Sequence, residues 1–392
     1  MATDVLLIGG GVASVRCART LRRHGFDGRI LLIGEEQNLP YNRPPLSKEL
    51  LRDDLPDDLV LAEPERWYER RNVELRSGHT VVALDLDAHE AMLDDGNAIG
   101  FERCLIATGA RPRELNVEGG EGTLLLRTLA DARAIRSRAI EAAPGSRVTV
   151  IGGGFIGVEV ASGLATLGLR PTILEMGDWL WAGALGSELD EWARKRLAGA
   201  GIDVRLGATV TRIGDGAAWV GDERHDHAFS VAGIGVVPRT ELAESAGLAV
   251  DDGIPTDGDH RTSHPTIWAA GDVARVDGRR IEHWHAAREG GERAALSMLG
   301  QPVPPQRAPW VFSEVAGELL DVVGWPSWDE TIVLGDPQSS GFAVAFVADG
   351  EVRQLAVVNG AIPVEEARAF VERRPSAAEL RELDALRAPA GG

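Results

Sequence analysis

Three closely spaced glycines, an acid one short strand further on, and the same arrangement repeated later are the residues of this chain best spaced to do chemistry. The first set lies in VLLIGGGVASV (Val5 to Val15), where Gly9 and Gly11 are followed by Ser14 in the third place, and Glu35 closes the strand RILLIGE. The second lies in VTVIGGGFIGVEVA (Val148 to Ala161), with Gly152, Gly154 and Gly157, and Glu175 closing RPTILE. In such a unit the first glycine makes the tight turn, the second lets phosphates approach the backbone, and the third lets helix pack on strand. Free N–H groups and the positive end of the helix then face a pyrophosphate. The acid, about 20 residues on, accepts hydrogen bonds from ribose hydroxyls. Ser14 is bulkier than the expected glycine or alanine, so the first helix is expected to sit slightly further from its strand. A lone glycine turn would be weak evidence. Two, each with strand, helix, second strand and acid in order, imply two dinucleotides and electrons moving between them.

Lysine is scarce. Of 41 basic residues only Lys48 and Lys195 are lysine. An ammonium and a guanidinium are not interchangeable, so the lysine kept inside the proline-stiffened segment NLPYNRPPLSKELL (Asn38 to Leu51) is a candidate; its alternative reading is a solvated surface lysine. The two cysteines, Cys17 and Cys104, fall in different elements without CxxC or CxxxxC spacing. They read as small buried apolar residues rather than redox centres. His283 and His285 are not at i,i+4 spacing and lack a nearby cysteine or carboxylate cluster, so no metal site is expected.

The elements that must position these residues follow from the same reading. The 392 residues suit two or three domains. Pro44-Pro45 can precede a helix starting near Leu46 or Ser47. NVELRSGHTVVALDLDAHEAMLDDG reads as a meander of short strands. FERCLIATGARPREL is a buried strand. Helices are expected near Leu129–Ala142, Ser187–Ala200 and His285–Leu299. AFSVAGIGVVPRTELAESAGL reads as one buried strand ending at Pro238, and TIWAAGDVARV as a strand ending at Gly271-Asp272. QPVPPQRAPW is a proline-rich linker, followed by alternating strands and a charged terminal helix. The fold class is α/β: two Rossmann-like dinucleotide-binding domains plus a small α+β C-terminal domain.

A net charge of −19 argues against nucleic acid and anionic membranes, both of which call for basic surfaces. No apolar run reaches the roughly 18 residues of a membrane helix. The chain enters its first strand at once, which reads as cytoplasmic.

Several separate motifs then agree with one family. By LPYNRPPLSKEL, LIATGARPREL, LLLRTLADA, GGGFIGVEVA, GIGVVPRTELAESAGL, TIWAAGDVAR and IEHWHAAREGGERAALSMLG, the chain resembles the FAD-dependent pyridine-nucleotide oxidoreductases of the ferredoxin-reductase type. These include reductase components of aromatic-ring dioxygenase and haem monooxygenase systems, rubredoxin reductases and the apoptosis-inducing factor. The resemblance is strong over residues 4–300 and weak beyond. It implies an FAD domain of residues 1–112 and 235–305, an inserted NAD domain of 113–234 and a C-terminal domain of 306–392. It assigns to FAD the positions Gly9, Gly11, Val12, Ala13, Ser14, Glu35, Arg43, Lys48, Val82, Ala107, Thr108, Gly109, Arg127, Gly271, Asp272, His283 and Trp284. To NAD it assigns Gly152, Gly153, Gly154, Phe155, Ile156, Gly157, Glu159, Glu175 and Gly235.

The resemblance also implies roles. Lys48 and Arg43 reach the flavin end, where a cation favours the anionic reduced ring. Glu159 lies by the flavin N5, paired with Lys48, and Trp284 stands at the flavin edge where electrons leave; these three are the expected catalytic residues. Asp272 accepts from the ribityl hydroxyls. EHWHA departs from the usual family string, which leaves His283 and His285 without a role. Glu175 favours the free 2′-hydroxyl of NADH over the 2′-phosphate of NADPH. The implied cycle passes a hydride from NADH, stacked over the flavin, to FAD, and then single electrons to a two-iron two-sulfur ferredoxin serving an oxygenase. With no cysteine pair at a family position, disulfide reduction is not expected. An NADH oxidase or quinone reductase, or an NADH-sensing protein like the apoptosis-inducing factor, are the competing readings; a monomer and a homodimer both remain open. Acidic ferredoxins and an acidic reductase repel, so a local patch of Arg275, Arg279, Arg280, Arg288 and Arg293 is the expected answer, with a solvated helix face as its alternative.

Overall fold

A computed structural model describes residues 2–380. The charged end of the chain, part of the expected terminal helix, lies outside them. The chain divides into two compact units. One holds the stretches up to Arg43, Pro56–Arg111 and Val236–Gln306. The other holds Pro44–Leu55, Pro112–Gly235 and the chain from Arg307 on.

The first unit is built on a sheet of β1 (Ala2–Ile8), β2 (Ile30–Gly34), β3 (Val73–Ser77), β4 (Val81–Asp85), β5 (Glu90–Leu93) and β6 (Ala98–Ile106), in the order β3-β2-β1-β6-β5-β4. β1 pairs in parallel with β2 and β6, and β2 with β3. The start of β6 pairs antiparallel with β5, while its end pairs in parallel with the strand Ile267–Ala269. Residues 5–8 of β1 and 30–33 of β2 are continuous apolar runs because both faces of the parallel sheet are covered, Leu7 and Leu32 by helix α1 (Val12–Arg23) and Leu6 and Ile33 by a cluster that includes Leu84, Leu93 and Leu242. Helix α1 buries Ala13, Val15, Cys17, Ala18 and Leu21 against that sheet. The expected meander is therefore half right. β4, β5 and β6 form it, but Val73–Ser77 crosses to the opposite edge, because its Val73 and Leu75 register beside Ile30 and Leu32.

The second unit repeats the plan. Asp203–Arg205, Arg170–Leu174, Arg147–Ile151, Ser230–Ala232 and Leu124–Leu125 lie side by side in parallel. The apolar string after Phe229 is two strands, Ser230–Ala232 and Val236–Pro238, rather than one. Gly233 to Gly235 interrupts it, with Gly235 at φ +93°. The segment from Arg307 forms an antiparallel five-stranded sheet and the helix Val364–Glu372. One face of that sheet, including Val315, Leu320, Val322, Phe342 and Phe346, shares a core with Val160 and Leu164.

The proline-rich segment is a 3-10 turn, Pro44–Ser47, leading into the single helical turn Glu49–Arg52, shorter than the helix expected there. It lies inside the expected 1–112 stretch yet packs in the second unit. A Cβ on Gly163 would touch Leu51, so the bare glycine admits that side chain. Arg136 donates to the carbonyls of Leu51 and Arg52.

Candidate functional site

Both glycine turns are forced by the same close approach. Gly9 sits at φ +117°, and a Cβ there would strike the carbonyl of Ala107, the residue after β6. Gly152 sits at φ +101°, and its Cβ would strike the carbonyl of Gly233, at the end of the neighbouring parallel strand. Only glycine tolerates both the left-handed backbone and the contact. Gly157 has the third role, since a Cβ on it would drive into the carbonyl of Gly152. At Gly11, by contrast, a Cβ would meet nothing within 4 Å. The protein's own packing does not require glycine there, and the bare position leaves room for a ligand beside α1.

The helix ends repeat this pattern. Gly11 and Gly154 precede α1 and the helix Phe155–Thr166 with extended backbone, no side-chain cap and no acid in the first turn. The helix Leu129–Glu141 starts differently. Thr128 and Asp131 form a reciprocal capping box, satisfying N–H groups that otherwise have no intrahelical partner. The two glycine-turn helices leave those donors to a ligand. The buried Ser14 hydroxyl, in the first turn of α1, likewise has no hydrogen-bond partner among the described residues. These features fit a dinucleotide pyrophosphate at each turn.

The remaining residues of the first unit gather at the carboxyl ends of its strands, where open α/β sheets bind ligands. Gly271, at φ +78°, lies where a Cβ would come 3.5 Å from Ala13, which puts Gly271-Asp272 beside the glycine turn. Thr108 donates from its hydroxyl to the Arg239 carbonyl at 2.7 Å, next to Gly109 at φ +69°. Glu35 is clasped by the Arg239 guanidinium, and that bond holds its carboxyl below the usual range. Val82 stands half exposed where the pairing of β4 with β5 slips by one residue. Just before it, Gly78 and His79 hydrogen-bond to the carbonyls of Glu36 and Gly34. Arg43 pairs with Glu36 at 2.9 Å and lies over the Tyr41 ring. Trp284 opens the helix Trp284–Met298, its indole N–H donating to Asn42 at 3.1 Å and its ring under Arg288. His283 precedes that helix, and burial holds its pKa below the ordinary value.

In the second unit the Glu175 carboxylate accepts from the backbone N–H of Gly153, and from that of Gly177 at 2.6 Å. Leu180 and Trp181 close over the same turn, Trp181 N–H donating to the Gly153 carbonyl at 2.9 Å. Phe155 stands near Trp181, and Ile156 is partly exposed on the helix surface. Gly235 accepts from Arg113 N–H at 2.9 Å. Arg127 lies just before the Thr128 cap, its N–H donating to Asp131.

The structure also brings Lys48 and Glu159 together. Nζ lies 2.7 Å from Oε2, with side chains 9% and 3% exposed. The Ser47 hydroxyl donates to the same oxygen, and the Ser313 hydroxyl donates to Oε1 at 2.6 Å. The Phe312 ring centroid lies 5.3 Å from the ammonium. Ser47 sits within a segment that sequence reading singled out. Ser313 carried no signal, because it is 154 residues from its partner.

Two sequence expectations need correction. The arginine patch is partly neutralised, two of its five members being paired with acids. Arg275 pairs with Asp251, and Arg280 with Asp252 and Glu282, while Arg293 caps the carbonyls of Pro304 and Gly258. The helix His285–Leu299 begins one residue early, at Trp284. Cys17 and Cys104 are free and fully buried, and burial pushes both thiols well above their usual pKa.

Two dinucleotide-type units, each with a glycine turn and an uncapped helix, define a class of two-cofactor oxidoreductases. The family model for pyridine nucleotide-disulphide oxidoreductases matches residues 3–291, and the chain belongs to that family, in its FAD-dependent ferredoxin-reductase type. It is 35% identical over 390 residues to the biphenyl dioxygenase system ferredoxin--NAD(+) reductase component of Paraburkholderia xenovorans (strain LB400), covering 96% of this chain and 95% of that one. It is 35% identical over 404 residues to the chlorobenzene dioxygenase ferredoxin reductase component of Cupriavidus sp. (strain PS12), covering 98% and 96%. Among solved structures, that of the covalent putidaredoxin reductase–putidaredoxin complex superimposes with a TM-score of 0.91 at 29% identity, over 99% of each chain. The family's name refers to a disulfide; the two cysteines of this chain are free, one on α1 and one on β6, and burial raises both thiols' pKa.

Proposed function

We propose that this protein is an NADH:ferredoxin oxidoreductase that passes electrons through FAD to a two-iron two-sulfur ferredoxin of an oxygenase system. The observation that carries the reading is the pair of forced glycine turns opening two uncapped helices in one chain. FAD, when bound, supplies the change from a two-electron donor to a one-electron acceptor. The chain's own residues bind and tune. The first turn and α1 hold one pyrophosphate, with Glu35 and Asp272 accepting hydroxyls of the same cofactor. The second turn holds NADH, and Glu175 disfavours a 2′-phosphate by its charge. Lys48 supplies the cation for the flavin end, and Glu159 keeps that cation in place at 2.7 Å. The relatives' names support NADH as the donor and a ferredoxin as the acceptor.

The test is direct. Purified protein with FAD is mixed rapidly with NADH, and turnover is followed with a panel of ferredoxins, a rubredoxin, a quinone and oxygen. A two-iron two-sulfur ferredoxin should exceed every other acceptor. Turnover no faster with any ferredoxin than with oxygen refutes the reading.

A further inference from the structure

The Glu159 carboxylate has no water-facing side. It is 3% exposed, and three donors from two distant parts of the chain converge on its oxygens. Lys48 and Ser47 come from the proline-rich segment and share Oε2. Ser313 comes from the strand Trp310–Val315 of the C-terminal sheet and takes Oε1 alone. A buried carboxylate that loses one donor must rotate, recruit another donor or weaken its remaining bonds. The sheet is also fixed to the same helix three residues along, where Ala316 N–H donates to the Ser162 hydroxyl at 3.0 Å. Arg52 and Glu314, which flank the cluster on the same two segments, pair with each other. Among the described residues, Lys48 is the charged group paired with Glu159. Ser313 is therefore held in register by its neighbours, and the one thing its hydroxyl does is orient Oε1.

We infer that Ser313, with Ser47 on the opposite oxygen, is a positioning residue for the Lys48–Glu159 pair, so that the C-terminal sheet completes the charge arrangement the reaction uses. This rests on the functional reading above for its consequence, though not for its geometry. Removing the Ser313 hydroxyl leaves Glu159 held from one side only, and Lys48, bonded to the other oxygen, moves with it.

The chain's two lysines make the effect observable. In protein grown on lysine labelled with carbon-13 at Cε, only Lys48 and the exposed Lys195 give signals, and K195R assigns them. In the FAD-loaded protein, S313A should shift or broaden the Lys48 resonance and leave Lys195 unchanged. S313T, which keeps a hydroxyl, should restore the wild-type signal. In rapid mixing, S313A should lower the limiting rate of flavin reduction by NADH about tenfold, the effect of one charge-assisted hydrogen bond, with little change in NADH affinity. S47A, which removes the donor to the other oxygen, should act in the same direction and serves where S313A does not fold. An unmoved Lys48 resonance in both alanine variants overturns the inference, as does S313T behaving like S313A. Wild-type flavin that NADH fails to reduce refutes the functional reading instead, and the resonance still decides the positioning role.

Discussion

Removing one partner of the Lys48–Glu159 pair should cost far more than removing both. At 9% and 3% exposure the two side chains are out of water. Glu159→Leu leaves the ammonium with the Pro44 carbonyl at 3.4 Å and the face of Phe312 as its remaining partners. Stranding a buried charge costs about 3–5 kcal/mol. Lys48→Met strands the carboxylate similarly, although the Ser47 and Ser313 hydroxyls still donate to it, so its cost should fall at the lower end. The double variant strands no charge. Its cost is that of two hydroxyls that lose their carboxylate acceptor, about 1–3 kcal/mol together, with Ser47 still able to turn to the Pro44 carbonyl at 3.5 Å. The cycle should therefore return a coupling energy of about 3–7 kcal/mol, the single losses summed less the double loss. The assay is denaturant unfolding followed by tryptophan fluorescence. Seven of the ten tryptophans, Trp179, Trp181, Trp192, Trp219, Trp310, Trp325 and Trp328, belong to the unit that holds the pair, so the signal reports mainly on the right part of the molecule. A double variant as unstable as the two single losses added together would refute the reasoning, because the two charges would then be independent.

Other outcomes follow from single groups. His260 is buried with its ring nitrogen 2.9 Å from the Ala269 carbonyl, and burial pushes its pKa down to about 4. The unfolded chain takes up that proton near pH 6.5, so stability should be full above that pH and fall by on the order of 3 kcal/mol as pH drops toward 4. H260Q should flatten the slope in that window by about one proton, read from denaturant midpoints at stepped pH; an unchanged slope counts against it. The C17A/C104A variant should keep NADH-driven ferredoxin reduction within about twofold, since burial silences both thiols; a loss of activity in a folded, flavin-loaded variant would show that a thiol takes part. E175Q should narrow the preference for NADH over NADPH by about tenfold, one unit charge near the 2′-position, measured as the ratio of kcat/KM values. A preference unaltered by the substitution would remove Glu175 from coenzyme selection.

The sequence showed what depends on local backbone geometry. Gly9 and Gly152 were legible because a left-handed turn against a neighbouring carbonyl leaves one residue type possible. The acids at Glu35 and Glu175 followed from their place at strand ends. Lys48 and Glu159 were legible only through resemblance, since nothing in spacing brings residues 111 positions apart together, and Ser313 was not legible at all. The arginines near Trp284 read as a basic patch because sequence displays charge without its partner; Asp251 and Asp252, a strand away, supply the neutralising groups. β3 was misread as the start of a meander because its composition suits either edge of the sheet. The single strand expected up to Pro238 failed at Gly235, whose positive φ no apolar pattern reveals.

The two uncapped helix ends bear on the life of the protein before it works. A chain newly made and lacking both nucleotides carries two clusters of peptide N–H dipoles with no acceptor and a sealed-in serine hydroxyl in the same condition. Whatever binds the native fold and spares the unfolded one shifts that balance by mass action. Vitamin supply should thus govern how much of this polypeptide survives proteolysis in the cell, with riboflavin starvation thinning its ranks well before catalysis becomes limiting.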